Sequence, residues 1–272
     1  MENFLKKNFK PLLAGIIFLG MYAPTFIWMW DRWFAKDSYY SHGILIPFVS
    51  IYLIWQKKDE LANVPLRSSP WAIPVLIIGI LIHLSSSITR IYFSSGVSMW
   101  VVLIGLILYF YGDQVLRKIW FPIFFLVFML PLPLKAIRDI SFTMKTFAAE
   151  IATYWLNKIG ILAIRDGSWI KMRGAHVIVD DVCSGLRSLI SLTALGSIFA
   201  YWLPAKLWKR IVLCLSTIPI AIITNVCRVM FLSVVSEVWG PQYAVGFIHD
   251  LSGYMIFALA FILLYSVGRL LE

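Results

Sequence analysis

Residues 207–235 read LWKRIVLCLSTIPIAIITNVCRVMFLSVV, and this stretch decides the class of fold. Between Arg210 and Arg228 no side chain carries a formal charge. A helix of about 20 mostly apolar residues crosses the hydrocarbon core of a bilayer. Seven further stretches share the pattern, roughly 11–30, 42–56, 70–88, 97–112, 119–134, 184–203 and 253–270. The expected fold is therefore an all-α polytopic membrane protein with about eight transmembrane helices, forming one integral-membrane domain over residues 1–272.

Composition agrees. Of 272 residues, 60% are hydrophobic and 14% charged, and the mean hydropathy is +0.82. That leaves too little polar surface to cover a water-exposed globule, which excludes a soluble enzyme, a disordered chain and a secreted disulfide scaffold. Twelve Trp, twelve Tyr and nineteen Phe suit aromatic belts at two membrane interfaces. The net charge of +10 falls in short clusters between apolar runs, where it sets topology and does not call for nucleic acid. Lys6, Lys7 and Lys10 precede the first run, which is too long for a signal-peptide core and reads as a retained anchor. Lys57, Lys58, Arg67, Arg117, Lys118, Lys206, Lys209 and Arg210 enrich alternate loops. Both termini are expected on the cytoplasmic side.

Residues 135–182 carry seven Lys and Arg yet fall outside by parity. Ile137, Ile140, Met144, Phe147, Ile151, Trp155 and Ile159 recur at helical spacing, with charges on the remaining circumference. This predicts an amphipathic helix lying in the outer-leaflet interface. Ser168–Met172 and Ala175–Val179 flank Arg173-Gly174 and read as a small extracytoplasmic β-hairpin feeding into Asp181-Val182-Cys183.

Ionisable residues at or within spans are functional hypotheses, because their desolvation must be compensated. Cys183 opens the sixth span, where the helix macrodipole favours thiolate. Arg187 follows it by four residues. A buried structural cysteine is the plain alternative. Asn225 and Arg228 lie in the seventh span, Arg228 being 18 residues past Arg210, or about 27 Å along a helix. Snorkelling is the plain alternative there. His249 precedes the last span and falls on the same outer face, as do His42, His83 and His176. A cysteine, an arginine and a histidine at one membrane face suit thiolate attack on an acyl group with stabilisation of the oxyanion.

Several of these pieces stand together in a recognisable order: Tyr40-Ser41-His42-Gly43, Leu130-Pro131-Leu132-Pro133-Leu134, Val182-Cys183-Ser184-Gly185-Leu186-Arg187-Ser188-Leu189, Asn225-Val226-Cys227-Arg228, and His249. The sequence resembles the exosortase/archaeosortase family of integral-membrane cysteine transpeptidases. The Cys-Ser-Gly-x-Arg-Ser element carries most of the likeness. The resemblance implies Cys183 as nucleophile with Arg228 and His249 as partners, and His249 points to the bacterial branch. Arg187, His42, Asn225, Ser184 and Gly185 rank as secondary or substrate-binding candidates.

The resemblance further implies an enzyme of the bacterial inner membrane, working at its extracytoplasmic face beside exopolysaccharide export. It would act on secreted proteins carrying a C-terminal sorting signal of PEP-CTERM type: a short motif, often Pro-Glu-Pro, then one transmembrane helix and a basic tail. A thioester acyl-enzyme would form and pass to an acceptor or water, with no metal or organic cofactor. The chain looks like the minimal core without an appended soluble domain. Two other classes remain open at this point, a polytopic transporter and a polysaccharide-export scaffold with a structural cysteine.

Overall fold

Helices dominate the computed structural model, which describes residues 2–180, 184–244 and 246–272. The chain forms two compact units, Met1–Leu132 and Pro133–Glu272.

The first unit contains α1 (Glu2–Met21), α2 (Ala23–Trp33), α3 (Leu45–Gln56), α4 (Lys58–Ala62), α5 (Ala72–Thr89), α6 (Tyr92–Phe110), α7 (Asp113–Lys118) and α8 (Trp120–Phe125), the last continued by a 3₁₀ turn, Leu126–Met129. Its tightest element is the α5–α6 hairpin. Ile77, Leu81 and Ile88 on α5 stay 53%, 58% and 84% exposed, the outward apolar face of a helix in lipid. Lipid removes the hydrophobic drive between helices, so close packing and hydrogen bonds must hold them. Gly79 and Gly105 supply the packing. A Cβ on Gly79 would lie 2.5 Å from Val102 Cγ2, and one on Gly105 would lie 3.1 Å from the Leu76 backbone nitrogen. Ser98 Oγ donates to the Gly79 carbonyl at 2.7 Å, and the Thr25 and Ser95 hydroxyls pair at 2.7 Å. Gly105→Leu is expected to cost about 1–3 kcal/mol through overpacking. Thermal melting of the detergent-purified variant checks this, and an unchanged melting temperature contradicts so close an approach.

The second unit contains α9 (Leu134–Lys158), strands β1 (Ala163–Asp166), β2 (Trp169–Met172) and β3 (His176–Ile178), then α10 (Leu186–Trp202), α11 (Leu207–Trp239), a 3₁₀ turn at Pro241–Tyr243 and α12 (Phe247–Leu271). The strands form one antiparallel sheet in the order β1-β2-β3. Trp169 pairs with Ile178 and Lys171 with His176 across β2 and β3. The expected two-stranded hairpin is thus part of a three-stranded sheet. β1 joins through the Gly167-Ser168 turn, with Asp166 opposite Trp169. Lys171 Nζ donates to Asp166 at 2.6 Å and holds that carboxyl below its ordinary range. The Asn157 amide clamps the sheet to α9, donating to the Ala163 carbonyl at 2.8 Å and accepting the Ala163 N–H at 3.0 Å.

The sheet and α9 pack on α11 through Ala148, Ala149, Ala152, Leu156, Ile170, Val179, Val226 and Val229. α9 is amphipathic, as expected. Its packed face is the small-residue one, while Phe147, Trp155 and Ile159 remain 47%, 51% and 58% exposed. Alanine lets helix and sheet backbones come close, whereas the bulky stripe serves an apolar surrounding outside the fold.

The chain is a multi-pass membrane protein. Among the described residues α5, α6, α11 and α12 are each long and apolar enough to cross a bilayer. Two broken pairs, Phe9–Met21 with Ala23–Trp33 and Trp120–Met129 with Leu134–Lys158, raise the number to six if each acts as one span. α3 and α10 are apolar but short. The 12 residues of α3 rise about 18 Å, well under the roughly 30 Å hydrocarbon core. Seven of the eight expected stretches lie largely on α-helices, while 119–134 holds the short α8, a 3₁₀ turn and non-helical residues 130–133, and helix length supports four to six spans.

Candidate active site

Arg228 sits on α11, one residue past Val226-Cys227 and one before Val229, so the residues on either side of it grip the sheet cluster while it turns toward α12. Its guanidinium makes three contacts with the first turn of α12. Nε donates to Ser252 Oγ at 3.1 Å, Nη2 donates to the His249 carbonyl at 3.1 Å, and Nη2 lies 3.3 Å from His249 Nε2. Ser252 Oγ in turn donates to the His249 carbonyl at 2.6 Å. Gly253 leaves room for the fork, since a Cβ there would meet Nη2 at 3.5 Å.

The contact fixes the histidine tautomer. A guanidinium has donors and no acceptor, so Nε2 of His249 must be the unprotonated nitrogen. The ring proton then sits on Nδ1, which lies 3.3 Å from Asp250 Oδ1. His249 is 23% exposed and Asp250 76%. An imidazole with a carboxylate beside Nδ1 can supply the base-and-orienter half of a nucleophilic site once Nε2 exchanges its Arg228 contact for the reacting proton.

The nucleophile candidate, Cys183, lies outside the described residues, as do its neighbours Asp181 and Val182. The chain resumes at Ser184, which is fully buried and whose Oγ accepts the Leu186 N–H at 3.3 Å. Gly185 caps α10 at φ +80°, in the left-handed region that favours glycine. It also packs directly on Asn225, because a Cβ on Gly185 would lie 2.7 Å from Asn225 Cγ. Asn225 is 3% exposed and precedes Arg228 by one helical turn. α10 begins at Leu186, directly after Gly185. Arg187, half-buried, stands in the first turn of α10.

Gly185→Ala meets strain and collision together. It is expected to lower substrate turnover by about 100-fold, the cost of roughly 1 Å of misplacement at a reacting centre. Helical circular dichroism should be retained. Full turnover in this variant contradicts the Gly185–Asn225 contact.

His42 belongs to the first unit, half-buried in the turn before α3, its ring stacked on Tyr40 at 6.0 Å between centroids. Tyr40 OH accepts the Leu132 N–H at 3.2 Å, tying the Tyr-Ser-His-Gly element to the Leu-Pro-Leu-Pro-Leu element. Cys227 is exposed and Cys214 half-buried. Sequence reasoning missed Ser252, which braces both Arg228 and the His249 carbonyl, and assigned Asp250 no role. The signal for Ser252 was its place three residues after His249 on one helix face.

The transmembrane exosortase family model matches residues 28–266. No curated protein and no solved structure gives a significant match.

Proposed function

The chain belongs to the transmembrane exosortase family, a family of membrane protein-sorting enzymes, and from that premise we propose that it is a cysteine transpeptidase or protease acting on membrane-anchored secreted proteins. The substrate presents a short motif of Pro-Glu-Pro type just outside the extracytoplasmic membrane face, followed by its transmembrane helix and basic tail. The enzyme resides in the bacterial inner membrane with both termini cytoplasmic. The observation that carries this reading is the Arg228–His249 contact, 3.3 Å between Nη2 and Nε2, with Gly185 packed one turn of α11 away. Gly185 follows Cys183 by two residues, and two residues of chain reach at most about 7 Å. The proposal requires Cys183, which lies outside the described residues, to reach this pair.

In this reading the Cys183 thiolate attacks the scissile carbonyl carbon. Arg228 stabilises the thiolate beforehand and the oxyanion afterwards. The tetrahedral adduct collapses as the C–N bond breaks, and the leaving amine takes a proton from His249, which has received it from the thiol. The C-terminal helix departs and Cys183 holds the acyl group as a thioester. An acceptor nucleophile or water gives a proton to His249, attacks the thioester and restores the thiol. Asp250 keeps the imidazole oriented throughout. Arg187 is the second-ranked oxyanion donor.

Mass spectrometry of a trapped enzyme–substrate adduct tests the proposal. The expected adduct is a hydroxylamine-labile thioester on Cys183, with the substrate cut at its motif. An adduct on Cys227, or a chain that transports without cleaving, defeats it.

A further inference from the structure

β3 is an edge strand, and what lies along its free edge is a cavity of about 380 Å³. Residues 176–180 line one wall, Val229, Leu232 and Ser236 of α11 line the other, and His249 also contributes. Successive residues of a strand point to opposite faces. Five consecutive residues can therefore line one cavity only if it runs along the strand edge, where the backbone is on view.

The backbone there has hydrogen bonds to offer. Val179 N–H donates to the Ser168 carbonyl at 2.9 Å, and Met172 N–H donates to the Ala175 carbonyl at 2.8 Å. In an antiparallel ladder paired residues alternate between facing the partner and facing away. Ala175, Val177 and Val179 thus bond to β2, while His176 and Ile178 turn their N–H and C=O groups outward into the cavity. Glu237 accepts the Gly174 N–H at 3.1 Å, which holds the β2–β3 turn against α11 and keeps the slot at a set width. On the opposite wall Ser236 is 1% exposed, yet among the described residues its hydroxyl has no hydrogen-bond partner. A buried hydroxyl left unpaired is costly unless something arrives to pair it.

We propose that this slot binds the substrate's recognition segment as an extended peptide, which adds to β3 as a fourth strand through His176 and Ile178 and bonds Ser236 Oγ from the far wall. The inference rests on the peptide-processing reading above and deepens it. His249 lines the same cavity, so a peptide seated here passes beside the proposed base. A motif with alternating prolines suits such an edge. The two prolines, lacking N–H groups, direct their missing donors away from β3. The residue between them directs both its N–H and its C=O toward it.

The test uses the full chain in lipid nanodiscs, with Cys183→Ala for binding and native Cys183 for turnover. The binding probe is a short synthetic peptide with Pro-Glu-Pro at its centre, followed by residue-resolved amide hydrogen exchange. Exchange at His176 and Ile178 should slow about tenfold or more on binding, while Val177, already bonded to β2, should not change. In turnover, Ile178→Pro removes an outward donor without touching the β2 ladder. It should raise KM about tenfold, with kcat within about twofold of native. Ser236→Ala should raise KM about fivefold. It should also melt no lower than native, because the hydroxyl it removes has no partner to lose. Absence of protection at His176 and Ile178, or unchanged KM in both variants, overturns the slot even if native enzyme cleaves its substrate. Protection without cleavage by native enzyme leaves the slot standing and removes the processing reading.

Discussion

Cys183→Ala is expected to abolish processing, lowering kcat/KM by at least about 10³-fold while the protein accumulates normally in the membrane. No other group in the chain can take over. Cys214 is half-buried and Cys227 opens onto the exposed face of α11, whereas Arg228 turns toward α12. A serine at the same place is a poorer nucleophile, because a hydroxyl is far less acidic than a thiol, so Cys183→Ser should be nearly as inactive. Gel mobility of a membrane-anchored substrate, precursor against product, reads the effect. Cys214→Ala and Cys227→Ala should process normally. If Cys227→Ala is as damaging as Cys183→Ala, the nucleophile has been assigned to the wrong thiol. If none of the three affects the cell's substrates, the protein is a transporter or scaffold and its cysteines are structural.

Arg228→Ala carries the second large effect, a loss of about 10²–10³ in kcat/KM, the usual cost of removing one oxyanion donor. The same substitution frees the first turn of α12, since Ser252 Oγ, the His249 carbonyl and His249 Nε2 all lean on one guanidinium. Arg228→Lys should restore little. An ammonium is a single compact charge and cannot reach the serine, the carbonyl and the ring in one planar fork. Single-turnover rates with saturating substrate separate chemistry from binding. Arg228→Lys at native rate would sink the role given to the fork.

Much of the fold was legible in the chain because apolar length has few meanings. Residues 211–227, 70–88 and 97–112 had to be helices, and they are. The two apolar faces of α9 divide for a physical reason. In water a bulky apolar stripe marks the packed face, but beside a membrane lipid competes for it. Alanines 148, 149 and 152 made the protein contact instead, and Phe147 and Trp155 faced out. β1 went unread because Arg165 and Asp166 mask its alternation, and only the Gly167 turn betrayed it. At the site, Arg228 stood out as a charge inside an apolar span, whereas only the family resemblance set His249 apart from His42, His83 and His176. Ser236 and Ser252 did not stand out, since a serine in a membrane helix usually bonds its own backbone one turn back. Only the coordinates reveal that Ser252 bridges two groups and that the Ser236 hydroxyl has no partner among the described residues.

α11 runs 33 residues without interruption, about 50 Å of helix against a hydrocarbon core of roughly 30 Å. Its basic foot, Lys209 and Arg210, and its upper end at Glu237 belong to one continuous rod, so the height of Arg228 is set by counting turns. The helix then works as a measuring staff. On the processing proposed above, distance from the lipid becomes a position along the client's sequence, and the bond presented at that level is the one to be cut. Inserting a few extra residues between a client's motif and its hydrophobic anchor should lower cleavage in step with the added length. Cleavage indifferent to that spacing would show that the staff sets no gauge.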